Sequence, residues 1–432
     1  MQVILLLGGK SKRFWPLTEK ALFPVCGTTL LAHQLACLRS AGLSEITVVG
    51  GSHNLEATAR VAPGLQMVEQ QGTGMLGALL SALPGCSGPV MVVSGNDVIL
   101  PSGYAAVAKV IADGADGALL ARRVERYFPG GYLTVEGDRV TGVMEKPGEG
   151  NEPSDLVNIV AHGHRDAAAL LEALRTQHND QDDGYERALA SLCTSKRYLA
   201  VPYEGPWHPV KYPWHLLPLL AELLAGVSSP SIHPSVVVHP SAVIDGNVVI
   251  GEGTRVLAHA TIVGPCVIGR NCVIANNALV RGSSIGDGCV VGYATEVCRS
   301  VLAGDVWTHM TYLGDSVVGH NVSFGGGTIT GNLRLDEMEI ASGEEKIGTG
   351  LGKFGAAIGD DCRLGIHVSL LPGVKIGGGT FISGGTVVGQ DLPDATFAQM
   401  KNGALDVRPN RTQAPRASER TTFKQGMEPT GK

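Results

Sequence analysis

Lys10, Lys12 and Arg13 crowd one short loop, Gly8-Gly9-Lys10-Ser11-Lys12-Arg13, and Lys20 follows shortly after. Like charges this close are costly unless an anion sits among them. The paired glycines let backbone N–H groups approach that anion, and a polyphosphate is the natural guest. A solvated basic turn is the plain alternative. Asp97 ends Ser94-Gly95-Asn96-Asp97, directly after the apolar run Pro89–Val93. A carboxylate there can hold a hard cation such as Mg²⁺, which takes one or two carboxylates plus phosphate oxygens; an Asp that only caps a turn reads the same way. In Glu69-Gln70-Gln71-Gly72-Thr73-Gly74, Gln71, Gly72 and Thr73 form a polar turn suited to reading a base edge. Glu145 could accept sugar hydroxyls, although an exposed Glu145-Lys146 pair is usually a solvated edge.

These residues need elements that position them. Val3–Leu7 is a short apolar run that stops at glycines, so it reads as a buried strand feeding a loop. Leu30, Leu31, Leu35 and Leu38 have helical spacing, and Ile46–Val49 is a second strand. Gly77–Leu83 and Tyr104–Ala112 read as helices around the strand Pro89–Val93. Strands alternating with helices imply a parallel sheet wrapped by helices, with ligands at the carboxyl ends of its strands. Both candidate loops fall at such ends. Gly130-Gly131-Tyr132 and Gly142–Pro147 read as hairpin strands.

The net charge of −6 predicts no general attraction to nucleic acid or anionic membrane. Val3–Leu7 is too short for a secretory core or a membrane span. The nine cysteines are dispersed with no CxxC pair, which fits reduced thiols in the cytoplasm.

From residue 232 a different pattern takes over. Ile250-Gly251 and Ile268-Gly269 lie 18 apart, and Ile285-Gly286 follows 17 later. Within them aliphatics recur near every sixth residue: Ile250, Val256, Ile262, Ile268 and Ile274. Six within eighteen implies three flat faces per coil, a β-solenoid of triangular section with Gly, Asn or Asp at its corners. Trp307–Asp315 breaks the pattern with polar groups, including His309 and Tyr312. Phe324–Asn332 follows, then an off-pattern insertion, Leu333–Lys353. A satisfied structural histidine is the ordinary reading of His309.

The opening resembles the signature of sugar-1-phosphate nucleotidylyltransferases: Gly8-Gly9-Lys10-Ser11-Lys12-Arg13-Phe14-Trp15-Pro16-Leu17-Thr18, then Glu19-Lys20-Ala21-Leu22-Phe23-Pro24-Val25. Gly72-Thr73-Gly74, Asp97, Glu145-Lys146-Pro147 and a sugar-holding Asn158 extend the likeness over roughly the first 220 residues. The repeat resembles hexapeptide left-handed β-helices. Its His309, Tyr312 and Asn332 resemble the acetyltransferase half of bifunctional N-acetylglucosamine-1-phosphate uridylyltransferases. The resemblance implies a Rossmann-like α/β nucleotidyltransferase domain (1–226) and a left-handed parallel β-helix (232–400); the stretch 401–432, polar, aperiodic and rich in Pro, Arg and Thr, reads as a disordered tail. It implies a homotrimer that binds a nucleoside triphosphate (UTP or dTTP), a sugar-1-phosphate such as N-acetylglucosamine-1-phosphate, Mg²⁺ at Asp97, and acetyl-CoA. Arg13 and Lys20 would act on the phosphates, with Gly8, Gly9, Lys10, Ser11, Lys12, Gln71, Gly72 and Thr73 around the nucleotide. Gly131, Glu145 and Asn158 would hold the sugar. His309 would be a general base, with Tyr312 and Asn332 binding its substrate.

Three departures stand out. Pro209 occupies the place of the family's second metal carboxylate in Trp207–Leu217. Cys298, beside Arg299, replaces a lysine, and a second lysine falls near Met338. Three functions therefore remain open: a bifunctional enzyme, a nucleotidylyltransferase with a purely trimerising solenoid, and a non-catalytic homologue.

Overall fold

The apolar run Gln2–Leu6 forms β1, whose central residues Val3, Ile4 and Leu5 are fully buried, as expected of a strand covered on both faces. A computed structural model describes residues 1–177, 182–420 and 424. It divides into two units, Met1–Lys10 with Leu30–Pro209, and Ser11–Thr29 with the chain from Val210 onward. This division departs from a single cut near residue 226.

In the first unit β1 is followed by α1 (Leu30–Ser40), β2 (Ile46–Gly50), α2 (Leu55–Val61), β3 (Gln66–Glu69), α3 (Gly74–Ala82), β4 (Val90–Ser94), β5 (Asp97–Ile99) and α4 (Pro101–Ala112). Then come β6 (Gly117–Arg123), β7 (Gly131–Glu136), β8 (Arg139–Glu145), β9 (Leu156–His164), α5 (Ala167–Arg175), α6 (Gly184–Ser195), β10 (Tyr198–Pro202) and β11 (Trp207–Pro209). Nine strands make one sheet in the order β3-β2-β1-β4-β9-β6-β10-β8-β7. The first four are mutually parallel. β9 runs antiparallel to both β4 and β6, so the sheet is mixed rather than wholly parallel. The chain moves outward from β1 through β2 to β3, then returns to β4 on the other side of β1. Such a reversal opens a crevice at the carboxyl ends of β1 and β4. β5 pairs only with β11, in a separate antiparallel ribbon.

The second unit is a parallel solenoid. Each regular coil gives one strand to each of three sheets, and the coils stack in parallel register. Ile250, Ile268, Ile285, Leu302 and Val318 form one inward column, each pairing with its copy in the next coil. All are essentially buried, and each such side chain contributes about 1.5–3 kcal/mol by leaving water. A Cβ on Gly286 would fall 1.2 Å from the Ala303 carbonyl oxygen, which explains the aliphatic–glycine signature there. The corners are less restricted than the pattern suggests: His259, Ala294, Arg299, Met310 and His367 also take positive φ. The register then jumps from Val318 to Ile358 to admit the insertion. There Ala341–Ser342 pairs with Ile347–Gly348, while Ile340 and Phe354 pack on Trp214.

The expectation of a disordered tail over 401–432 is corrected for its first part. Thr396–Lys401 and Ala404–Pro409 form a hairpin closed by Asn402-Gly403, both at positive φ, the favoured two-residue turn. The hairpin extends the middle sheet through Phe381↔Phe397. The chain beyond it is also tied down: Asn321 Nδ2 donates to the Pro415 carbonyl (2.9 Å), and the Arg420 guanidinium lies 4.1 Å from the Trp307 ring centroid. Residues 421–423 and 425–432 of that tail lie outside the described residues. Among the described residues no helix is long and apolar enough to cross a membrane.

Candidate active sites

The loop after β1 is held from both sides. Asn54, buried, donates from Nδ2 to the Leu7 carbonyl (2.9 Å) and accepts from Gly51 N–H (3.0 Å). A side chain on Gly8 would collide with Gln70, whose Oε1 lies 1.7 Å from where the Cβ would be. Gln70 Nε2 in turn donates to the Gly72 and Gly74 carbonyls, both at 3.1 Å. Gln70, not Gln71, therefore shapes this turn. The Gln71 side chain is exposed, and its N–H goes to Ser81 Oγ (2.9 Å). The two glutamines are adjacent in sequence, and only the packing against Gly8 separates their roles. Gly72 and Thr73 lie exposed at the start of α3, and Gly9 and Lys10 are exposed too. The remaining signature residues belong to the second unit. Ser11 Oγ donates to Glu19 Oε1 (3.2 Å), bracing a segment that exposes Lys12 and Arg13 and half-buries Lys20. Phe14 and Phe23 anchor it edge to face at 5.8 Å.

Asp97 is positioned by two residues that sequence reasoning did not place in the site. Gln34, buried on α1, donates from Nε2 to the Ser94 carbonyl (2.7 Å) and the Asp97 carbonyl (2.9 Å). Trp207 Nε1 donates to Asp97 Oδ1 at 2.8 Å. Pro209 lies directly opposite Asp97 in the β5–β11 ribbon. Among the described residues no three His, Cys, Asp or Glu side chains converge as a metal site. A single carboxylate still fits Mg²⁺ when phosphate oxygens and water complete the shell, since this ion usually keeps such partners.

Gly131, Glu145 and Asn158 are brought together. Gly131 pairs with Glu145 across β7 and β8. A Cβ on Gly131 would lie 3.0 Å from Glu145 Oε2 and 3.7 Å from Asn158 Cβ. Glu145 Oε1 also meets Lys146 Nζ at 3.1 Å, so the exposed Glu–Lys pair is real; exposed pairs of this kind contribute little. Behind Asn158, His162 Nε2 lies 2.7 Å from Asn158 Oδ1. His162 and His164 are fully buried, and burial holds both imidazoles down at about 3, His162 helped by its histidine neighbour.

In the solenoid, Tyr312 and Asn332 meet: Asn332 Nδ2 donates to Tyr312 Oη (3.1 Å) and to Asp315 Oδ2 (2.5 Å). Arg299 forms a bidentate pair with Asp315 at 2.6 and 2.7 Å. Arg299 is thus engaged by a largely buried carboxylate, which pushes its pKa further up. Arg334 pairs with Asp336, and Met338 is well exposed. Burial and the Cys298 contact push the Tyr312 phenol up to about 12, so it stays protonated. Asp315 is the hub that sequence reasoning missed, although it closes the His309–Asp315 run. His309 sits exposed at the preceding corner. Its ring lies 6.3 Å from that of Tyr293 and makes no hydrogen bond among the described residues.

Comparison with known proteins connects these features. Residues 3–233 match the MobA-like NTP transferase domain family, and residues 227–332 match the GMPPB C-terminal domain. "Bifunctional protein GlmU" of Methanococcus maripaludis (strain C7) is 31% identical over 424 residues, spanning 93% of this chain and 98% of that protein. The chain belongs to the GlmU family. A further relative, from Sulfurisphaera tokodaii, is 28% identical over 413 residues, covering 92% of this chain and 99% of its own length. It is named a bifunctional sugar-1-phosphate nucleotidylyltransferase/acetyltransferase. Within this GlmU-family chain, the Asp97 turn and the Gly8 loop lie in the matched NTP transferase region, and both end neighbouring strands at the reversal of strand order. His309, Tyr312 and Asn332 lie in the region matched by the GMPPB C-terminal domain.

Proposed function

We infer that the protein transfers a nucleotidyl group to a sugar-1-phosphate and acetylates an amino-sugar-1-phosphate from acetyl-CoA. The observation that carries the first activity is that the Gly8 loop and the Asp97 turn follow the carboxyl ends of two paired parallel strands, β1 and β4, at the reversal of strand order. A sugar-phosphate oxygen attacks the α-phosphorus of the nucleoside triphosphate. The new P–O bond forms as the bond to the β-phosphate breaks, and pyrophosphate leaves. The substrate brings its own nucleophile, so the protein positions groups and neutralises charge. Arg13 neutralises the departing pyrophosphate and Lys20 bridges the phosphates. Asp97 would hold Mg²⁺, which supplies charge neutralisation when bound. Gln70 and Gly8 shape the nucleotide side; Gly131, Glu145 and Asn158 hold the sugar. UTP or dTTP, with N-acetylglucosamine-1-phosphate, are the substrates favoured. The test is pyrophosphate release over four nucleoside triphosphates and several sugar-1-phosphates. No release with any pair would refute the assignment.

The second activity rests on the solenoid cluster. The amine attacks the thioester carbonyl, His309 takes the amine proton, and coenzyme A leaves as the thiol. Tyr312 and Asn332 position the sugar. We assign the solenoid to the left-handed class and the protein to a homotrimer. In support, Met310, Ile329, Ile366 and Val387 expose about half or more of their surface on or beside the sheet that carries Tyr312. Apolar side chains gathered in this way favour association. Light scattering at micromolar concentration is expected to give three times the chain mass, and a monomer would overturn this assignment.

A further inference from the structure

Four buried rings stand in line behind Asn158. His162 Nε2 lies 2.7 Å from Asn158 Oδ1, and His162 Nδ1 lies 2.7 Å from Tyr185 Oη. Tyr185 Oη lies 3.2 Å from His164 Nε2, and His164 Nδ1 lies 2.8 Å from Tyr198 Oη. All four rings are at most 2% exposed. On a regular strand, residues 158 and 162 would stand about 13 Å apart. The register of β9 against β6 shifts between Asn158 and His162, and this irregularity accompanies their contact.

Neutral imidazoles donate from one nitrogen and accept at the other, so the chain of bonds runs in one of two directions. The end of the chain decides between them. Among the described residues, Tyr198 Oη has His164 Nδ1 as its one hydrogen-bond partner. If His164 Nδ1 carried the proton, the buried Tyr198 O–H would point at nothing, and an orphaned buried donor costs about 1–3 kcal/mol. The satisfied arrangement has Tyr198 donating to His164 Nδ1, and His164 Nε2–H donating to Tyr185. Tyr185 then donates to His162 Nδ1, and His162 Nε2–H donates to Asn158 Oδ1. Asn158 then has its carbonyl oxygen committed inward to His162, which leaves its NH₂ as the group to meet a ligand.

We propose that this buried chain fixes Asn158 as a hydrogen-bond donor, so that the sugar site selects an acceptor, the acetamido carbonyl oxygen, over a protonated amine. The proposal rests on the reading of Asn158 as a sugar-binding residue. His162, His164, Tyr185 and Tyr198 are positioning residues in it. Asn332 presents the opposite polarity: its NH₂ is committed to Tyr312 and Asp315, so its carbonyl oxygen is left to meet a donor such as an amine.

The first test is ¹⁵N NMR of the histidine side chains in the full-length protein. His162 and His164 are expected as Nε2–H tautomers; Nδ1–H forms would overturn the proposal whatever the activity. The second test compares pyrophosphate release with N-acetylglucosamine-1-phosphate and glucosamine-1-phosphate. His162→Phe is expected to reduce the kcat/KM preference for the acetylated sugar about tenfold, a change of about 1.4 kcal/mol. The change should appear in the sugar KM, with the nucleotide KM unaltered. His162→Gln, which keeps a donor, should restore much of the preference. Tyr198→Phe, which keeps the ring but removes the terminal hydroxyl, should mix the tautomers and weaken the preference in the same direction. An unchanged preference in both Phe variants refutes the proposal. A wild-type protein inactive with either sugar would instead refute the sugar-site reading, and the tautomers would still report on the chain itself.

Discussion

Asp97→Ala is expected to lower pyrophosphate release at least about 100-fold while leaving thiol release from acetyl-CoA unchanged. Loss of a preorganised charge at a phosphoryl centre typically costs this much or more. The expectation is sharper here because the residue facing Asp97 across the β5–β11 ribbon is Pro209, which has no side-chain ligand to offer. Asp97 also keeps its orientation through Trp207 Nε1 and the Gln34 amide. Asp97→Asn preserves the acceptor oxygen for Trp207 and removes only the charge. It should therefore be almost as inactive as the alanine variant, with an unaltered melting temperature. Near-normal turnover in either variant would remove Asp97 from the mechanism. Steady-state pyrophosphate release, measured beside a thiol assay on the same preparation, decides the matter.

His309→Ala should have the mirror-image effect. Free-thiol release from acetyl-CoA with glucosamine-1-phosphate is expected to fall by about 100-fold or more, the usual contribution of a positioned general base. Nucleotidyl transfer should not change. The imidazole is exposed at a solenoid corner, and its ring is bound by no hydrogen bond among the described residues, so truncation should cost little stability. A fall in activity is then chemical rather than structural. Galactosamine-1-phosphate is the second substrate to try. No thiol release by the wild type with either sugar would reduce the solenoid to an assembly stem. Release that survives His309→Ala would keep the activity and exclude the proposed base.

The parts of this molecule that depend on local period were readable in advance. Inward aliphatics such as Ile250, Ile268 and Ile285 repeat because each must cover its copy one coil away, and that constraint writes itself into spacing. The strand before Gly8 was legible for a similar reason, since a run buried on both faces carries no polar residue. What escaped depends on distant partners. Gln70 and Gln71 look alike until Gly8 is seen to need space on one side. Asp315 reads as a corner residue until Arg299 and Asn332 are found to share it. His162 reads as one more strand residue until the register shift brings it to Asn158. Asn402-Gly403 was a missed local signal. It is a common hairpin turn, set inside a polar, proline-containing stretch whose composition otherwise argues against strands.

The chain passes between its two units at Lys10/Ser11, at Thr29/Leu30 and again at Pro209/Val210. The small excursion Ser11–Thr29 is fastened to the solenoid in earnest. Trp15 Nε1 donates to Asp394 Oδ1 (3.0 Å), Lys375 Nζ lies 4.9 Å from the Trp15 ring centroid, and Cys26 N–H donates to Ser284 Oγ (2.8 Å). Half of a phosphate-binding signature is thereby lodged in the architecture that serves the other chemistry. No single scission of the polypeptide yields two self-contained halves. A chain cut before the solenoid would lose the contacts that hold Ser11–Thr29, and with them the setting of Arg13 and Lys20.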